Sequence, residues 1–377
     1  MSPARPRPGG TPVPVRFPAE WEPHEATWLA WPHDPITWPD IAAVEPVWAS
    51  MAAALAKRET VHLLVADAAE EARARRALRP HRPGRRLHLH RATTNDVWIR
   101  DYGPMFVEGP GGLRVVDWVF NTWGGKYGVW AHDDAMPAFA ASLLGLALDR
   151  PGLVLEGGSV DFDGAGTVLT TEQCLLNPNR NPGLDRAGVE EMLGRWMGAR
   201  RVVWLGRGIE GDDTDGHVDD VARFVGPRTV VLAVEEDPRD RNHAASRDNL
   251  RRLRAARDAD GRRLEVVALP MPEPVSEGNP VAGHASVRAP ASYANFYVAN
   301  GLVLAPVFAQ PRDGPALAVL RRLFPDREVV GIDCRELVGG NGAVHCVTQQ
   351  QPKAPGRGRR RLRRWSRCRA CGRRRSG

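Results

Sequence analysis

Reactive and charged side chains recur in this chain at the ends of apolar segments, and their rhythm limits the folds it can adopt. Asp101, Glu156, His217, the segment at Tyr293 and Cys346 lie 55, 61, 76 and 53 residues apart. Each follows or opens an apolar run of strand character, and stretches of helical spacing fill the intervals. The pattern predicts an α/β chain of about five βαβ-type units, each bringing residues to a shared centre. Strands are expected at Glu25–Pro32, Thr60–Val65, Leu113–Phe120, Thr167–Glu172, Arg201–Leu205, Thr229–Ala233, Leu264–Leu269 and Glu328–Ile332. Helices are expected at Ile41–Lys57, Ala66–Leu78, Ala138–Leu148, Gly188–Met197, Asp240–Asp258 and Ala316–Leu323. Asn300-Gly301 marks the turn of a hairpin between Tyr293 and Pro306.

The chemistry concentrates in a few places. Val338-Gly-Gly-Asn-Gly-Ala-Val-His-Cys-Val-Thr-Gln-Gln-Gln-Pro352 sets a cysteine beside a histidine, between a glycine-rich loop and what reads as a strand. Cys346 is the candidate nucleophile, although a single cysteine is ordinarily a small buried hydrophobe. A free thiol is only slightly ionised at neutral pH, so as a nucleophile it needs a neighbouring cation or dipole. Thr94–Pro104 gathers Asp96, Trp98, Arg100 and Asp101 in a short extended segment. Carboxylates beside an indole suit a planar cation; a surface turn with a salt bridge is the alternative. Glu156 closes a strand ahead of two glycines, which let backbone approach closely. Gly208–Asp220 sets five aspartates around His217, and strand alternation places His217 and Asp219 on one side. Trp123–Gly128 reads as a flexible aromatic loop at a pocket mouth.

Charge narrows the function classes. The net charge is +7, but from Lys353 onward eleven arginines and one lysine face no acid. The body before them is mildly acidic, which suits a cationic substrate. No run approaches the roughly 18 apolar residues of a membrane helix. Residues 1–14 read as a flexible leader without the apolar core of a secretory signal, and five scattered cysteines make no disulfide framework. A cytoplasmic protein is expected. Cys368-Arg-Ala-Cys371 has redox or zinc spacing but no second ligand pair. Residues 15–352 read as one catalytic domain and 353–377 as a disordered Arg-rich tail.

Seven motifs run in order between residues 17 and 352: FPAEWEPHEATWLAWP, NDVWIRDYGP, NTWGGKYG, LEGGS, DTDGHVDD, YANFYVANGLVLAP and HCVTQQQP. With them the chain resembles the agmatine deiminase family, related to bacterial peptidylarginine deiminases within the guanidino-group-modifying enzymes. The resemblance implies a five-bladed, pseudo-symmetric α/β propeller of the pentein type, made of repeated ββαβ units, with its active site on the axis and no cofactor or metal. It implies Cys346 as nucleophile, His217 as general acid and base, and Asp101 and Asp219 as guanidinium ligands. Glu156 would orient His217, Trp98 would border the substrate channel, and Asp96 would stand behind the ligands. The implied reaction hydrolyses agmatine to N-carbamoylputrescine and ammonia through a covalent amidino-cysteine, with arginyl substrates as the alternative. Two departures bear on the substrate. Ala343 stands where many members carry asparagine, and His33–Pro39 is similar to broader family members.

Two other chemistries fit parts of the chain. Asp213, Asp215, His217, Asp219 and Asp220 are ligand types for a two-metal cluster that would split agmatine to putrescine and urea, a scheme with no role for the cysteine motif. Arg357–Arg375 with Trp365 has the composition to contact nucleic acid. That tract lacks periodicity, however, and with only Lys57, Lys126 and Lys353 among the lysines the arginine bias reads as GC-rich coding. The tail is expected to be frame-shifted or dispensable. A small guanidino molecule is the expected partner, without nucleic acid or membrane, and a homodimer is the default assembly.

Overall fold

Short apolar strands separated by tight turns build five small sheets in a mixed α/β fold. The computed structural model describes residues 14–128, 130–275 and 288–354. The leader through residue 13, and the tail from 355 with its arginines, Trp365 and the Cys368/Cys371 pair, lie outside the described residues. Among those described, no helix is long and apolar enough to cross a membrane.

Four sheets repeat one pattern, in which an antiparallel hairpin is followed by helix and then by a third strand parallel to the second. Their strands are Met105–Gly109, Gly112–Val116 and Ala147–Asp149; Asp161–Phe162, Thr167–Thr171 and Arg201–Leu205; Ala222–Gly226, Thr229–Val234 and Glu265–Pro270; and Tyr297–Ala299, Leu302–Val307 and Glu328–Asp333. In the remaining sheet the last strand, Gln349–Pro352, takes the first place. It lies antiparallel to His24–Ala30, which runs parallel to Thr60–Val65, itself parallel to Leu87–Arg91. Early and late segments of the chain are thereby stitched into one sheet.

The helices form for readable reasons. Ile41–Ala56 contains Pro46, which costs about 3 kcal/mol inside a helix. Burial of Val44, Trp48, Met51 and Leu55, at roughly 1.5–3 kcal/mol each, outweighs it. Asp67 caps Ala68–Leu78 by accepting the N–H groups of Ala69 and Glu70 at 2.9 and 2.8 Å. The helix expected to reach Leu148 stops at Leu144, because Gly145 turns left-handed at φ 63° and frees Ala147–Asp149 to pair as a strand.

Three expectations of extended structure give way to turns. Ile99–Tyr102 is one helical turn rather than extended chain, and Val218–Asp220 is a tight turn rather than an alternating strand. Glu156 does not close a strand; Gly157–Ser159 turns directly after it. Each of these turns sits just before the first strand of a hairpin. Further turns, at Ser292–Asn295 and His345–Thr348, precede Tyr297 and Gln349 in the same way. Each of the five sheets is therefore entered through a turn, and the four-stranded one repeats the antiparallel-then-parallel order of the others before adding Leu87–Arg91.

Candidate active site

Those five turns carry the residues that meet. The first brings Asp101, the second follows Glu156 and contains Gly158, and the third brings Asp219 and Asp220 with His217 just before them. The fourth brings Asn295 and the last His345 and Cys346. All of these side chains are buried. Gly158 is the point of closest approach: a methyl group there would lie 2.6 Å from His217 Nδ1, 2.8 Å from Asp101 Oδ1 and 3.1 Å from Asp219 Oδ2. Its N–H donates to Asp101 Oδ1 at 2.9 Å.

His217 stands between carboxylates. Its Nδ1 is 3.6 Å from Asp101 Oδ1 and its Nε2 is 3.9 Å from Glu156 Oε2. Burial by itself would lower the imidazole pKa, but Asp101 on one side and Cys174 and Glu156 on the other raise it well above the ordinary value. These neighbours favour the protonated ring. Glu156 is in turn held by Arg180, whose Nε donates to Oε1 at 2.8 Å. Burial opposes the Glu156 charge, and Arg180 together with His217 overcomes it, so the pKa falls below the usual range.

Cys346 Sγ accepts an N–H from Asn295 Nδ2 at 3.0 Å and lies 3.9 Å from Asp219 Oδ2. Burial pushes its thiol pKa up well above the usual value, and Asp219, Asp220 and Asp101 push it further. The sulfur's charged neighbours are thus anions, the reverse of the activating cation that the sequence demanded.

A buried polar layer supports these groups. His345 reaches Asp219 Oδ2 through Nδ1 and Glu20 Oε2 through Nε2, both at 2.7 Å. Glu20 also meets Arg223 at 2.8 Å and Arg100 at 3.3 Å. Burial would raise the Glu20 pKa, but Arg223, His345 and Arg100 hold it well below the carboxylate range. Arg100 Nη1 donates onward to Gln349 at 2.7 Å and Gln350 at 2.6 Å, in the strand that joins the last turn to the first sheet. Asp219 Oδ1 is buried with no hydrogen bond, so this carboxylate keeps an acceptor to spare.

A cavity of about 410 Å³ opens onto Cys346 and Asp101. Trp98, Phe120, Trp123 and Tyr127 wall it, and Asp34, Asp96, Asp133, Asp213 and Asp220 line it; no lysine or arginine is among its described lining residues. Burial, reinforced by Asp34, lifts Asp96 to about 6. Burial also lifts Asp101 to about 6, and burial reinforced by Asp96 lifts Asp133 to about 8. Trp98 Nε1 donates to Asp96 Oδ2 at 3.0 Å, and the indole packs so closely on Gly342 that a methyl there would lie 2.4 Å from Cζ3. The loop expected to be flexible is instead tied down. Thr122 and Trp123 are left-handed at φ 53° and 54°, a conformation costing roughly 1–2 kcal/mol per non-glycine residue. Trp123 Nε1 donating to Asp101 Oδ2 at 2.9 Å and Thr122 Oγ1 donating to Tyr127 O at 2.9 Å hold it there.

Of the residues of a two-metal reading, Asp213 and Asp215 are committed to other partners. Asp215 is spent on Lys126, at 2.8 Å, and on Arg180, while Asp213 accepts the Tyr127 hydroxyl. Among the described residues, the groups that gather metal-ligand types are Glu156/Cys174/His217 and Asp219/Asp220/Cys346, neither of which includes Asp213 or Asp215.

Residues 16–352 match the model of the Porphyromonas-type peptidyl-arginine deiminase family. The chain belongs to this family. The agmatine deiminase of Stutzerimonas stutzeri strain A1501 is 41% identical over 357 residues, covering 89% of this chain and 95% of the relative. That of Ectopseudomonas mendocina strain ymp is 41% identical over 359 residues, covering 90% and 96%. The solved agmatine deiminase of Enterococcus faecalis superposes with a TM-score of 0.84 at 35% identity, over 90% of this chain and 96% of that one. In this peptidyl-arginine deiminase family chain, sequence reasoning passed over Asn295, Gly158, Glu20 and Arg180. Asn295 left a signal as a polar residue within Tyr293-Ala-Asn-Phe-Tyr297, and Glu20 stands inside the first motif. Arg180, in an Asn/Pro loop, left none.

Proposed function

We propose that the chain hydrolyses the guanidinium group of agmatine to N-carbamoylputrescine and ammonia, with Cys346 as nucleophile. The observation that carries this is the charge of the cavity, where a thiol sits among carboxylates and the described lining residues include no lysine or arginine. A dication, with a guanidinium at one end and an ammonium at the other, matches such a cavity. Free arginine would bring a carboxylate with no cation among the described lining residues to meet it. The names of the relatives at 41% identity support the same substrate.

Asp101 and Asp219 accept guanidinium N–H groups and set the central carbon against the sulfur. The bound cation offsets the anions that hold the thiol protonated, so binding itself supplies the missing positive charge. The thiol proton leaves through the open cavity to water, and the thiolate adds to the carbon to give a tetrahedral intermediate. The His217 imidazolium protonates one nitrogen, the C–N bond breaks, and ammonia departs, leaving an amidino-cysteine. His217, now neutral, takes a proton from the water that attacks the same carbon. The C–S bond then breaks as the hydroxyl proton passes to the departing sulfur, releasing the ureido product and restoring the thiol. Glu156, braced by Arg180, holds the imidazole in place throughout, while Trp98 and Asp96 shape the channel.

In this reading the five ββαβ units close as a five-bladed propeller whose axis passes through the site. Support comes from the shared strand order and from the sheet that joins early and late strands. The protein is assigned to the cytoplasm and to a homodimer, the latter open to light scattering. Ammonia release from agmatine, free arginine and an arginyl peptide tests the substrate. Agmatine should lead in kcat/KM by at least about 100-fold. Equal turnover of the peptide would overturn the agmatine assignment in favour of arginyl deimination, after which the family is named.

A further inference from the structure

We propose that Asn295 is a catalytic residue whose side-chain amide stabilises the Cys346 sulfur as it ionises to the thiolate and keeps it aimed at the substrate carbon. The inference rests on the reading of Cys346 as nucleophile.

The orientation of the amide is decided by its surroundings. Asn295 is fully buried, and its Oδ1 accepts the backbone N–H of His345 at 2.9 Å and that of Cys346 at 3.3 Å. Turning the amide over would point an NH₂ group at two N–H donors, so the hydrogens must face the other way. There one donates to Asp220 Oδ1 at 2.9 Å and the other to Cys346 Sγ at 3.0 Å. A single side chain thus fixes both the backbone of the nucleophile and its sulfur.

The choice of an amide follows from the charge balance. The charged groups that act most strongly on the sulfur are Asp219, Asp220 and Asp101, and each disfavours a thiolate. A lysine or arginine beside the sulfur would counter them but would also repel a guanidinium. A neutral N–H donor stabilises the developing anion without that penalty. It also explains why asparagine interrupts an otherwise apolar run at the start of the hairpin.

The test follows Cys346 itself. Iodoacetamide alkylation of the full chain is measured by peptide mass spectrometry, without substrate, in the wild type and in Asn295→Ala and Asn295→Asp. The alanine substitution removes the donor without adding charge and carries the test; the aspartate substitution keeps the size and the acceptor oxygen that the backbone needs but adds an anion beside the sulfur, and thermal melting confirms folding of both. Cys346 alkylation should slow about tenfold in Asn295→Ala between about pH 7 and 9, as expected when the thiolate fraction falls by a factor of ten, and further in Asn295→Asp. With agmatine, kcat should fall by about 100-fold or more while KM stays within about threefold. Unchanged alkylation in a folded variant, or a raised KM with kcat intact, would overturn the proposal. Alkylation needs no turnover, so a wild type that releases no ammonia from agmatine would refute the proposed function and leave the Asn295 result readable.

Discussion

Replacing Gly158 by alanine asks whether the meeting of His217, Asp101 and Asp219 is required for turnover. The added methyl would lie 2.6 Å from His217 Nδ1 and 2.8 Å from Asp101 Oδ1, whereas ordinary contact begins near 3.4 Å. The imidazole or the carboxylate must therefore retreat by roughly 0.6–0.8 Å, and a misplacement near 1 Å costs about 100-fold in rate. Gly158 does not lie in the left-handed region, so the effect is one of space rather than backbone strain. Overpacking of this kind should lower stability by about 1–3 kcal/mol. The assay is ammonia release at saturating agmatine, with urea denaturation alongside. Gly314→Ala is the control, since nothing lies within 4 Å of a methyl group there and alanine suits its helix. A Gly158→Ala variant with wild-type kcat would refute the claim that these three side chains act at their present separations.

Three further outcomes follow from the same geometry. Asp96 and Asp101 both titrate at about 6 in the folded protein, above the ordinary 3.8, so the native state binds extra protons in that interval. Their stabilising contribution is lost as the pH rises through it, while kcat/KM for a cation should fall as the pH drops below about 6, by one to two decades per unit. A kcat/KM profile that stays flat to pH 5 would contradict this. Arg180→Met strips Glu156 and Asp215 of a buried partner and should cost about 3–5 kcal/mol in urea denaturation, with a fall in kcat as the imidazole loses its brace. Full activity should persist in a strong chelator with ammonia as product; urea and putrescine would instead point to metal hydrolysis.

Much of the scaffold was legible because apolar, β-branched runs announce strands. Thr60–Val65 and Arg201–Leu205 form as expected, and the hairpin turns at Asn300-Gly301. The turns that carry the chemistry were not legible in the same way. Hydrophobic periodicity assumes that polar residues face water, yet Asp101, Glu156 and Asp219 are buried with polar partners, and their segments curl instead of extending. Cys346, His217, Asp101, Glu156 and Asp219 stood out by residue type and motif, and the fold brings them to one place. Gly158 and Asn295 matter only because separate segments meet at them, which no local pattern records. The charge around Cys346 was likewise hidden, since Asp101, Asp219 and Asp220 reach the sulfur from two distant turns.

The most direct measurement is ammonia release from agmatine by the Cys346→Ala variant, with agmatine binding followed by calorimetry. The account predicts that the variant binds agmatine and releases no ammonia above the enzyme-free rate. Enzyme-dependent ammonia release without that sulfur would contradict the covalent route.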